Sequence, residues 1–265
     1  MTYNTGMGEQ TQEQKPDPES FGQRVTEKLF IRMWRIVKNH KLKSILVVLT
    51  IWIGLEILTL PFGDVRSLKA KNPGETAFMQ EHRERAVAAG RRFRVSQQWV
   101  PLSRVPKHVI NAVIVAEDGS FWIHNGFDWD EFKESVEQNL KERRAARGAS
   151  TITQQLVKNL YLSSSKNPMR KLREWILTWW MEEQLGKRRI LELYLNVIEW
   201  GNGIYGVQAA AQRYFGKNVD DLTREEAARL AATIPNPRRY RADAETHYLV
   251  RKSGLILERM AARGL

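Results

Sequence analysis

The sequence predicts a mainly α-helical domain behind a single N-terminal membrane helix. Three observations carry this. From about residue 98 onward, apolar residues recur at helical spacing. No run of alternating apolar and polar residues marks a strand. Residues 44–62, SILVVLTIWIGLEILTLPF, are almost wholly apolar, close to the ~20 residues a helix needs to span a bilayer.

Residues 1–20 are polar, rich in Glu and Gln, and carry Pro16 and Pro18, so they read as a disordered tail. Residues 24–43 then hold Arg24, Lys28, Arg32, Arg35, Lys38, Lys41 and Lys43 against Glu27 alone. Residues 1–43 are therefore expected as a basic cytoplasmic tail, with 44–62 as an uncleaved anchor. A core helix would show a polar stripe, and this stretch has only Glu56, Ser44 and two threonines. A cleaved signal would be shorter and end in small residues, not in LTLPFGDV. The basic cluster predicts a cytoplasmic N-terminus and an extracytoplasmic remainder.

The 265 residues carry a net charge of +12. About +3 falls in residues 1–43, −2 in 44–64 and +11 beyond. A basic domain outside the membrane meets anionic lipid or a lipid-linked phosphate, not nucleic acid. The absence of cysteine excludes disulfides, thiolate zinc sites and thiol catalysis.

Residues 63–97 read as a linker with Pro73, Gly74 and a basic AAGRRFRV run, and 98–240 as the domain proper. KHVINAVIVAED has the helical period, and so does FDWDEFKESVEQNLKERR, through Phe132, Val136 and Leu140. Further helices are expected at 151–162, 169–185, 187–199, 205–215 and 223–233, with a C-terminal helix within 241–265. Gly186, Gly201 and Gly216 follow three of them, where a left-handed cap is expected.

Four segments carry chemistry. In AEDGSFWIHNGFDW, residues 116–129, Glu117 ends an apolar helix. A carboxylate set against Phe121 and Trp122 would have a raised pKa and suit acid–base work. The same residues equally suit a surface acidic turn. In RGASTITQQLVKNLYL, Thr151 and Gln154 have capping-box spacing, and Ser150, Gln154 and Lys158 share one face. That face fits a phosphate or sugar, or plain solvent. In KNPMRKLREWILTWWMEEQL, Arg170, Lys171 and Glu174 lie within one turn, as a surface ion cluster or as an anion site. In residues 187–217, Glu192 and Asn196 are polar exceptions on an apolar helix, and Ala209–Ala211 predict close packing.

Taken together, ED-x-x-F-x-x-H-x-G-F at 117–127, G-x-S-T-I-T-Q-Q-L-x-K-N at 148–159, R-K-x-x-E at 170–174 and I-L-E-x-Y-L-N at 190–196 resemble the ordered motifs of glycosyltransferase family 51, the peptidoglycan glycosyltransferases. The likeness covers roughly residues 98–235. It implies a lysozyme-like fold with a mobile, membrane-facing lobe at 126–149. It implies polymerisation of lipid II into β-1,4-linked glycan with inversion and release of undecaprenyl pyrophosphate. Glu117 then corresponds to the general base and Glu174 to a second essential carboxylate. Asp118, Phe121, His124, Ser150, Thr151, Gln154, Lys158, Asn159, Lys166, Arg170, Lys171, Glu192 and Asn196 match substrate-site positions. Lys166 stands where some relatives have Arg, which costs bidentate geometry. The resemblance leaves Glu174 open between orienting those cations, holding Mg²⁺ and assisting departure, and the donor pyrophosphate is neutralised either by Lys and Arg or by Mg²⁺ or Mn²⁺. The implied partners are lipid II, the growing glycan chain, membrane lipids, and division or elongation proteins. The transpeptidase-like patterns SSSK and SKN overlap at 163–167 and no K-T-G exists, so no penicillin-binding domain is expected. A lytic glycosidase or a non-catalytic lipid II scaffold are the alternatives. The cations around Glu174 argue against the first, since cutting a neutral glycan needs no pyrophosphate site. The two carboxylates argue against the second.

Overall fold

A computed structural model describes residues 41–142, 150–165 and 167–265. It has two compact units, one ending at Thr59 and one spanning Leu60–Leu265. The described part of the first is helix α1, Lys41–Leu58. Ile45, Leu46, Val47, Val48, Ile51, Trp52 and Leu55 all stand exposed on it. A helix apolar all round needs a hydrocarbon solvent. The chain within Lys43–Ser67 holds a stretch of mean hydropathy 2.2, long and apolar enough to cross a membrane.

The second unit is mainly helical, as the spacing predicts. Its helices are α2 (Phe62–Ser67), α3 (Ala77–Ala88), α4 (Lys107–Glu117), α5 (Trp129–Glu142), α6 (Ile152–Tyr161), α7 (Pro168–Gln184), α8 (Lys187–Val197), α9 (Val207–Phe215), α10 (Arg224–Thr233) and α11 (His247–Ala262). The linker reading of 63–97 is corrected here, since α2 packs on α7 and α3 on α6. Three short strands also form, in the order β1 (Ser96–Gln97), β3 (Ile204–Tyr205), β2 (Glu199–Gly201). Two- and three-residue strands are too short to leave an alternating pattern, so sequence could not show them.

The core has two connected halves. In one, α10 lies against α4 and α11, burying Val109, Val113, Leu230, Leu249 and Met260. In the other, α6 lies against α7 and α8, burying Ile152, Leu156, Leu177, Met181 and Leu193. Ala210 and Ala211 are fully buried on α9, as close packing requires. Of the three expected glycine caps, only Gly216 is left-handed, with φ +66°. Gly186 instead caps the start of α8 with φ −74°, and Gly201 lies in β2.

Two predicted site residues prove to be framework. Asn196 is fully buried and pairs with residue 100 in both directions. Its Oδ1 accepts from the Val100 N–H and its Nδ2 donates to the Val100 carbonyl, each at 2.8 Å. Glu192 accepts from the Leu102 N–H at 2.9 Å and pairs with Arg189. Both staple the strand-like segment before α4 onto α8.

Candidate functional site

The C-terminal end of α4, one side of α6 and the N-terminal half of α7 converge on a cleft of about 380 Å³. Glu117, Ser150, Gln154, Lys158, Asn159, Arg170, Lys171 and Glu174 all line it, eight of the residues the motifs select. Glu117 and Ser150 also line a second cavity of about 440 Å³, with Tyr248, Lys252 and Arg259 of α11 on its wall. Glu117 thus sits where two cavities meet.

Glu117 is the last residue of α4, half-buried. Burial pushes its carboxyl up to about 7, opposed by a hydrogen bond from Gln155 and by the charge of Lys252. Gln155 Nε2 donates to Glu117 Oε2 at 2.9 Å. The fully buried Tyr194 hydroxyl donates to Gln155 Oε1 at 2.8 Å. Burial holds that phenol well above its ordinary pKa, so it stays a donor. The chain Tyr194–Gln155–Glu117 therefore turns the Gln155 amide one way and aims the carboxylate. Sequence reasoning selected Gln154 and missed Gln155, Tyr194 and Lys252. Adjacent glutamines on a helix differ by about 100° in direction, and only the packing of α6 on α8 says which one faces Glu117.

Phe121 does not do what the sequence suggests. It is fully buried, with Lys187 Nζ 4.5 Å from its ring centroid. Phe121 lines neither cavity. His124 likewise lines neither of them. Its Nε2 donates to Asp118 at 2.9 Å, and its Nδ1 accepts from the Gly126 N–H at 3.1 Å. Asp118 is buried and accepts from the Ile152 N–H at 2.9 Å, on the first turn of α6. Thr151 is the buried N-cap of α6, in a capping box with Gln154, and its hydroxyl donates to the Gly126 carbonyl at 2.8 Å. Gly126 has φ +85°, and a Cβ there would lie 2.8 Å from Thr178 Cγ2. Asp118, His124, Gly126 and Thr151 thus form a clasp that sets α6, and with it Ser150, Gln154 and Lys158, against Glu117.

The clasp allows a stability test. In Asp118→Asn, an amide oxygen that keeps the Ile152 N–H sets the amide nitrogen against the His124 Nε2–H, donor facing donor. The unmatched buried donor should lower Tm by roughly 5 °C. Thermal unfolding followed by circular dichroism reads this, and an unchanged Tm would remove the clasp from the argument.

Asp118, His124 and Asp128 come close enough together to be considered for a metal ion. Each is already hydrogen-bonded within the fold. Asp128 accepts from Ser120 and from the Glu131 N–H, and His124 and Asp118 are paired as above. The trio is a hydrogen-bonded frame.

At the other end of the cleft Glu174 is buried beneath two cations. Arg170 Nη1 lies 2.7 Å from Glu174 Oε2, and Lys171 pairs with Oε1. Pro168 in the first turn and the Asn167 cap, accepting from the Met169 N–H at 2.9 Å, start α7 so that all three residues face the cleft. Lys158 reaches the same end from α6. Burial lowers its pKa, with Arg170 adding to the effect. Lys166 lies outside the described residues.

Beside Lys171 an apolar groove of about 170 Å³ is lined by Phe127, Trp129, Phe132 and Trp175. Phe127 and Trp129 stack at 5.7 Å. Trp129 and Trp179 remain more than half exposed.

Residues 84–261 match the family model described as "Transglycosylase". A biosynthetic peptidoglycan transglycosylase of Nitrosospira multiformis is 45% identical over 194 residues, 73% of this chain and 84% of the relative. That of Methylobacillus flagellatus is 46% identical over 189 residues, covering 71% and 82%. That of Aromatoleum aromaticum is 48% identical over 169 residues, covering 64% and 74%.

Proposed function

This chain belongs to the transglycosylase family and is a peptidoglycan glycosyltransferase that polymerises glycan strands, and we propose how its residues divide that work. The observation that carries the reading is Glu117 at the junction of two cavities, with Lys158, Arg170 and Lys171 grouped at the far end of one. The donor is the growing chain on its lipid diphosphate, and it occupies the cationic cleft. The acceptor, a fresh lipid II, approaches from the Lys252 side. Its 4-hydroxyl is a weak nucleophile. Glu117, poised near pH 7 by burial, takes the proton as the oxygen attacks the donor's anomeric carbon. Attack from the face opposite the diphosphate inverts α to β.

The bond to the diphosphate breaks as that attack proceeds, and negative charge grows on the departing oxygen. Lys158, Arg170 and Lys171 meet it. Glu174 holds two of those cations in place and keeps them from repelling one another. Its two oxygens are both ion-paired, so among the described residues this end of the cleft groups three cations around one paired carboxylate. That donor set does not fit a protein-held Mg²⁺ or Mn²⁺, and an ion carried by the donor diphosphate would add to the protein cations.

The aromatic groove beside Lys171 suits the hydrocarbon next to a diphosphate. The exposed Trp129 and Trp179 suit the membrane interface. With α1 in the bilayer, the positive run before it keeps the N-terminus cytoplasmic and the enzyme on the outer side. Much of that run, and the basic segment after α5, lies outside the described residues.

Labelled lipid II incubated with the purified full chain tests the reading. Polymer should accumulate and should stop with moenomycin. Shortening of pre-made strands, with no polymer formed, would identify a lytic enzyme instead.

A further inference from the structure

We infer that Phe78 and Glu81 of α3 are positioning residues for the diphosphate-binding end of the cleft, Phe78 by seating the Lys158 ammonium and Glu81 by holding the turn that orients Arg170. Both precede residue 84, where the family match begins. The inference rests on the proposed function, in which those two cations receive the leaving group.

Thr76 starts α3, accepting from the Met79 N–H at 3.2 Å. Phe78 and Glu81 then fall three residues apart, on one face of a helix that packs on α6. Phe78 lines the cleft, and Lys158 Nζ lies over its ring, 5.3 Å from the centroid. Behind it the ring meets the buried His82 edge-on at 5.5 Å, and His82 Nδ1 is 2.8 Å from the Tyr205 hydroxyl. The ring is thus backed by a fixed partner. An aromatic face attracts an ammonium without occupying its three donors as a carboxylate would. Lys158 is held, partly desolvated, with its hydrogens free for phosphate oxygens.

Glu81 acts one step further away. Its Oε2 accepts from the Ser164 N–H at 2.9 Å and its Oε1 from the Ser164 hydroxyl at 2.5 Å. Arg85 braces the same carboxylate and donates to Ser164 Oγ at 2.6 Å. The next carbonyl, that of Ser165, accepts from Arg170 Nε at 2.6 Å. Arg170 Nη1 then reaches Glu174. Glu81 therefore anchors a continuous path that fixes which way the Arg170 guanidinium points. A surface helix outside the recognised motifs makes one direct contact and one relayed contact with the two cations.

The test uses the full chain in detergent with two readouts. One is the lipid II polymerisation rate over a range of substrate concentrations. The other is the affinity for inorganic pyrophosphate by calorimetry, which needs no turnover. Phe78→Leu keeps bulk but loses the ring. It should lower kcat about 5-fold with little change in KM, and weaken pyrophosphate binding by a similar factor. Phe78→Tyr should restore both to within twofold. Glu81→Gln should weaken both readouts about as much, with Tm near that of the parent. Values within twofold of the parent in Phe78→Leu overturn the proposal, and so does an equal loss in Phe78→Tyr. Should Phe78→Leu fail to fold, Glu81→Gln decides, and normal values there overturn it. If the parent binds pyrophosphate but makes no polymer, the proposed function fails, while the calorimetric comparison still judges this one.

Discussion

Glu117→Gln should cut lipid II polymerisation by about 10³-fold, within the range a positioned base contributes, while binding of lipid II stays measurable. Glutamine keeps the shape and can still accept from Gln155, so the loss is that of the proton acceptor. The parent enzyme's pH profile checks the same assignment. A base must be deprotonated to act, so the rate should rise with pH through an apparent pKa of about 7. On the alkaline side it should fall earlier than an ordinary lysine would dictate, because burial lowers Lys158. A flat profile between pH 5.5 and 8 would remove Glu117 from the role.

The same variant should be more stable than the parent. The Glu117 carboxyl is raised in the folded state, from an ordinary 4.5 to about 7. A raised acid contributes stability fully below about pH 4.5 and loses it as pH climbs through about 7. Above that the parent carries a desolvated charge costing about 2–3 kcal/mol, and glutamine does not. Thermal unfolding should show the variant ahead at pH 8 and nearly level with the parent at pH 4.5. An inactive but stabilised protein is the outcome expected of a group kept for chemistry at a cost to folding.

The second large effect belongs to Glu174. Glu174→Gln should lower kcat about 100-fold, the scale on which one transition-state electrostatic contact acts. Arg170 and Lys171 would lose the charge that collects them, and their mutual repulsion would spread them away from the leaving group. Stability should change little, because Arg170 is 20% and Lys171 40% exposed and both can turn to water. Single-turnover rates at saturating lipid II measure this. A kcat within threefold of the parent would show that Arg170 and Lys171 meet the departing charge without Glu174.

Much of the site was legible because its residues cluster in four short segments, each within one helical turn or cap. The Thr151–Gln154 box, the shared face of Gln154 and Lys158, and the Arg170–Lys171–Glu174 turn follow from helix geometry alone, whereas Ser150 precedes the helix and reaches the cleft from outside it. The misreadings involve contacts between elements. Phe121 is adjacent to the acidic pair in sequence yet points into the core. Glu192 and Asn196 are polar residues on an apolar helix, and they bind backbone rather than substrate. Gln155 had no signal separating it from Gln154.

What the sequence by itself determined is local: the apolar span, the order of helices, the acid at the end of α4 and the cations opening α7. These depend on periodicity, capping and charge within a few residues, which a linear string contains in full. Only the tertiary structure decided which side chains share a cavity. It set Tyr194 behind Gln155, put Lys252 of α11 next to Glu117, and brought α3 up to Lys158 and Ser164. Such pairs lie 39 to 135 residues apart along the chain. Their meeting is fixed by how helix faces pack, and so is the burial that moves Glu117 to about 7.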